Sequence, residues 1–114
     1  MTFQLAKTLE GIKMYGPIYD LGTGWPDKIE EYRDEDKNDW FLNNMVDRIN
    51  AACDTLLDDG DVDYISAEKC KELVTIINNL SPQCIPSESQ KAMEVLLDYA
   101  KRAIEYNTGI EIEM

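Results

Sequence analysis

The hydrophobic positions of this chain recur mostly at three- and four-residue intervals, the spacing of one face of an α-helix. The clearest stretch covers residues 39–57, where Leu42, Met45, Val46, Ile49, Ala52, Cys53 and Leu56 share a face. Asp39 is placed as its N-cap, with Trp40 and Phe41 at the entrance. This segment runs straight into Asp58, Asp59, Gly60, Asp61 and Asp63, with Gly60 as a turn signal. A further helix is predicted over residues 67–80, capped by Ser66, with Cys70, Leu73, Val74, Ile77 and Leu80 on one side. The last begins at Ser87, where Ser87 and Gln90 make an S-x-x-Q capping box. Its face of Met93, Leu96, Leu97, Ala100, Ala103 and Ile104 persists to about residue 106, and Asn107, Thr108 and Gly109 end it.

Elsewhere the pattern is less regular. Leu5, Ala6, Leu9 and Ile12 predict a first helix over residues 2–15, N-capped by Thr2 and stopped by Gly16 and Pro17, with Gly11 counting against it. Residues 16–26, GPIYDLGTGWP, hold too many glycines and prolines for a regular element, so Ile18, Tyr19, Leu21 and Trp25 are expected to pack a loop down on the core. Pro26 opens a short helical turn to Tyr32, and residues 33–37 read as a solvated helix segment or linker. Residues 110–114 alternate apolar and acidic as a strand would. With no second strand pattern to pair with, they are expected to form a packed or frayed tail, with addition to a partner's sheet edge as the alternative. The resulting expectation is an all-α fold: one compact bundle of four to five helices, a single helical domain over residues 1–114.

Composition adds a strong electrostatic bias. The 114 residues include 11 Lys and Arg against 23 Asp and Glu, a net charge of −12. Residues 39–65 carry seven acids and one base, and so hold −6 of that charge. Such a field disfavours nucleic acid and anionic membranes as direct partners and attracts cationic ones. No apolar run is long enough to cross a bilayer and no secretory pattern opens the chain, which predicts a soluble cytoplasmic protein. Three cysteines, Cys53, Cys70 and Cys84, with no C-x-x-C pair, fit core packing in a reducing compartment.

Chemistry is hard to find. There is no histidine, no G-x-S-x-G, no P-loop and no H-E-x-x-H, so neither an enzyme nor a cofactor is expected. The acidic turn fails as a calcium loop in both registers. With Asp59, Asp61 and Asp63 at positions 1, 3 and 5, Tyr64 stands where glycine is needed and Cys70 where the closing glutamate belongs; with Gly60 at position 6, Thr55 and Leu57 fall on ligand positions. No metal site is expected.

A small, acidic scaffold without catalytic groups suits a cationic protein partner, and nucleases are cationic because they bind phosphates. The overall acidic character and the stretch D-D-G-D-V-D-Y, Asp58 to Tyr64, resemble small acidic bacterial immunity proteins, the inhibitors of contact-dependent or bacteriocin toxins. The stretch is loosely similar to that of the colicin-nuclease immunity proteins, which are four-helix and use acidic residues followed by tyrosines near the third helix. Here Ile65 and Ser66 follow Tyr64 in place of a second tyrosine and a proline. The resemblance implies a toxin inhibitor that covers the toxin's substrate site with an acidic surface. Asp54, Asp58, Asp59, Asp61 and Asp63 would face its basic residues, and Tyr64 would serve as an interface anchor. The alternatives are a nucleic-acid mimic that inhibits a DNA-binding enzyme, with acids spread along an elongated face, and a structural or adaptor subunit binding through an apolar groove.

Overall fold

Phe3 and Leu5 alternate with Thr2, Gln4 and Ala6 across a pleat instead of winding round a helix. The fold is that of a computed structural model, which describes residues 1–34 and 38–114. Strand β1 is Thr2–Ala6, followed by the two-residue strands β2 (Met14–Tyr15) and β3 (Ile18–Tyr19), then β4 (Ile29–Arg33). Helices α1 (Asp39–Asn44) and α2 (Val46–Cys53) lead to β5 (Val62–Ser66), α3 (Ala67–Asn78), α4 (Ser87–Tyr106) and β6 (Gly109–Glu113). The main sheet is antiparallel in the order β4-β1-β6-β5, and β2 pairs with β3 in a separate hairpin.

The protein is therefore mixed α and β, which overturns the all-α helical bundle and the four-helix architecture implied by the resemblance. The first expected helix contains β1, the turn after Pro26 leads into β4, and the expected frayed tail is β6, a central strand. The physical reason is range. Phe3 pairs with Ile112 and Leu5 with Ile110, so the alternation of β1 and β6 is stabilised by a partner at the far end of the chain. A five-residue apolar segment has no decisive period of its own. The run at residues 33–37 is strand as far as Arg33, and residues 35–37 lie outside the described residues.

The sheet has two working faces. Phe3, Leu5, Ile65, Ile110 and Ile112 point toward the helices and join Leu73, Leu96, Phe41 and Ile49 in the main core. Ala6 lies on the opposite face, where Ile12 and Leu21 from the connection between β1 and β4 form a second, smaller core with Tyr19, Ile29 and Tyr64 packed round it.

Two helices match their sequence signals closely. Ser66 caps α3 by accepting the Lys69 N–H at 3.3 Å, and α4 ends where Asn107 adopts a left-handed φ of 54°. Three start signals differ. Asn38, not Asp39, caps α1 through its acceptance of the Phe41 N–H at 3.0 Å. Thr2 is a strand residue, and Ser87 is the first helical residue of α4 after Pro86, with no side-chain cap. The long helix expected over residues 39–57 is divided at Met45 and ends at Cys53, where Asp54 takes φ 55°. That ending rotates Leu56 off the apolar face, leaving it 84% exposed while Leu57 is buried.

Candidate functional site

The acidic segment is held by one side chain from the helix that precedes it. Asn50 on α2 donates from Nδ2 to the Leu57 carbonyl at 2.9 Å. Its Oδ1 accepts the Leu57 N–H at 2.8 Å and the Thr55 hydroxyl at 2.6 Å. These bonds satisfy the loop backbone where no helix or strand does so, and fix where the aspartates emerge. Beyond the loop, the Asp58 carbonyl accepts the Asp61 N–H at 3.0 Å, Gly60 takes φ 84°, and the Asp61 carbonyl accepts the Met114 N–H at 2.8 Å. Gly60 suits this turn because a side chain there would be strained.

The six residues singled out in the sequence divide into three groups. Asp58, Asp59 and Asp61 sit exposed on the turn, where Asp58 also accepts the Asp59 N–H at 2.8 Å. None of the three forms an ion pair among the described residues. Asp54 stands apart, with Lys69 of α3 at 2.8 Å. Asp63 and Tyr64 lie in β5 and serve the fold. The Asp63 carboxylate accepts the Leu56 N–H at 2.9 Å and the Tyr64 N–H at 2.8 Å. The first of these bonds ties the loop after α2 to the edge strand β5. The Tyr64 hydroxyl donates to the Thr108 carbonyl at 3.3 Å, and its ring lies 5.7 Å from that of Tyr19. Burial pushes the Tyr64 hydroxyl up to about 12. Tyr64 is thus a half-buried packing residue.

What sequence reading missed lies beside Tyr64. A concavity of about 200 Å³ opens between the β2–β3 hairpin and the β5–β6 pair. Tyr15, Ile18 and Val62 form exposed apolar walls and Asp20 and Glu111 line it as acidic residues, while Asp63 borders it with its carboxylate turned to the Leu56 and Tyr64 N–H groups. Glu111 is 7% exposed, on the sheet face opposite the helices. One oxygen, Oε2, accepts the Leu21 N–H at 3.1 Å. The other has no hydrogen-bond partner among the described residues. Burial raises the Glu111 pKa most, and the negative fields of Asp20, Glu113 and Asp63 raise it further, against the lowering effect of the Leu21 bond. The alternation of residues 110–114 contained the clue: a glutamate between two isoleucines in a strand must face the other side of the sheet.

Thiol chemistry has little support from the surroundings. Burial raises Cys53 to about 11 and Cys70 to about 12, which keeps both protonated, while Cys84 is exposed. Among the described residues, no group of three or more cysteine or carboxylate side chains is placed to hold a metal ion, and no helix is long and apolar enough to cross a membrane. No protein-family model, curated protein or solved structure matches the chain.

Proposed function

We propose that this protein is an immunity-type inhibitor that binds a cationic bacterial toxin, a nuclease domain in the reading favoured by charge, and covers its substrate site with an acidic surface. The observation that carries the reading is the set Asp58, Asp59 and Asp61: three exposed carboxylates on a turn stapled by Asn50, without basic partners among the described residues. Preorganised carboxylates can occupy positions that substrate phosphates take in a nuclease, and their field speeds the encounter. Asp54 contributes less, because Lys69 already offsets its charge.

The test begins with a pull-down from the native host: capture of no cationic protein counts against the reading, and a captured nuclease is taken forward. Its purified catalytic domain is assayed on DNA and RNA with and without the protein. Stoichiometric loss of cleavage is expected, with weaker inhibition by the triple variant Asp58→Asn, Asp59→Asn, Asp61→Asn. Full cleavage in the presence of excess folded protein would overturn the reading. Equal inhibition by the triple variant would remove the turn from it.

A further inference from the structure

The concavity beside Tyr64 has features beyond the Leu21–Glu111 bond and the Tyr19–Tyr64 packing that hold the fold there. Its floor is the Glu111 carboxylate, 7% exposed, whose second oxygen has no hydrogen-bond partner among the described residues and is open to solvent, and the fields of Asp20, Glu113 and Asp63 upon it are of its own sign. Gathering like charges at a buried site without a counterion is unfavourable. The walls are apolar and aromatic: Tyr15 is 59% exposed, Val62 52% and Ile18 42%. Its volume of about 200 Å³ falls below the roughly 300–1,000 Å³ of small-ligand and cofactor pockets. This size fits one long side chain.

We infer that this concavity receives a single arginine side chain from the protein's partner, with the aliphatic stem along Ile18 and Val62 and the guanidinium against Tyr15 and the Glu111 carboxylate. Arginine meets each condition at once. Its stem buries against apolar surface, its plane stacks on aromatic rings, and its donors match a carboxylate. It also supplies a countercharge to Glu111 and Asp20. The inference rests on the proposed inhibitor function for the identity of the partner, but the site itself is tested without a toxin.

The experiment is a 1H–15N NMR titration of the whole protein with N-acetyl-arginine amide, using the lysine and norleucine amides as controls. The expected result is saturable shifts confined to Tyr15, Ile18, Val62 and Glu111, strongest with arginine, weaker with lysine and absent with norleucine. Glu111→Gln retains an acceptor for the Leu21 N–H and removes the charge, and should weaken binding by about tenfold. If that variant does not fold, Tyr15→Ala on the exposed hairpin serves instead and should weaken binding severalfold. Equal shifts with norleucine, arginine shifts confined to the turn at residues 58–61, or undiminished binding by a folded Glu111→Gln would overturn the site. Lysine binding as tight as arginine would overturn the stacking on Tyr15. Loss of the site would leave nuclease inhibition intact, whereas a failed inhibition assay with these shifts present would remove the toxin and keep the site.

Discussion

At the scale of single residues, Glu111 and Asn50 show opposite uses of buried polarity. Asn50 satisfies three loop groups, and Asn50→Ala would leave the Leu57 N–H and carbonyl without those partners. Its expected cost is about 1–3 kcal/mol, read by chemical denaturation, with lost amide protection at Leu57. Glu111 instead carries a burden. Its folded-state pKa is raised, so the folded protein holds this proton more tightly than the unfolded chain does. Stability is then lost as pH rises from the ordinary carboxylate value through the raised one, and the penalty is complete above it. Glu111→Gln should accordingly stabilise the protein at pH 7 by on the order of 1 kcal/mol, with the gain vanishing as the pH falls toward about 4. Thermal melts across that range test it, and a gain independent of pH would show that the charge is not the cause. Gly109 is fixed by its neighbour: a Cβ there would collide with the Tyr64 ring. Gly109→Ala should therefore destabilise β5 and β6 together.

At the scale of elements, the last strand carries more of the fold than its terminal position suggests. β6 lies between β1 and β5 and brings Ile110 and Ile112 into the main core. Deleting residues 110–114 should prevent cooperative folding, measured as loss of near-UV circular dichroism and NMR dispersion. A folded truncated chain would contradict the sheet order. The helical layer is tied to the opposite edge strand by Arg102 of α4, which donates to both oxygens of Glu30 on β4 at 2.6 and 3.1 Å and also contacts Asp98 at 3.3 Å. The hydrogen bond from Arg102 chiefly holds Glu30 below its ordinary value. A carboxylate shifted in this direction stabilises the fold above its unfolded pKa, and that contribution fades as pH falls through the folded one. The Arg102 side chain is 26% exposed, so Arg102→Met is expected to cost about 0.5–1 kcal/mol at pH 7, and less in acid. The three regular helices α2, α3 and α4 were legible because amphipathic spacing over two turns or more is a local property. The strands were not, because each is short and takes its pairing from a segment elsewhere in the chain.

At the scale of the whole molecule, the charge of −12 is unevenly used. Arg102 and Lys69 bind carboxylates of the fold, while Asp58, Asp59 and Asp61 face solvent. Because these three carry no packing, their replacement by asparagine should move the melting temperature by less than about 2 °C. The same change should slow association with a cationic partner by about tenfold at low ionic strength. The difference should disappear at high salt, where the screening length falls to about 3 Å near 1 M. Stopped-flow association across a salt series measures this, and a salt-independent difference would point to lost contacts rather than lost field.

The sequence by itself determined the acidic excess, its concentration between residues 39 and 65, and the amphipathic faces of α2, α3 and α4, since charge and short-range periodicity are written locally. It also picked out the acidic turn. Only the tertiary structure decided that β1 and β6 are neighbouring strands, that Asp63 and Tyr64 are spent on the fold, and that Glu111 faces Tyr15 and Ile18 across a concavity. Those outcomes depend on pairing between distant segments, whose stability comes from the partner strand and the core beneath it.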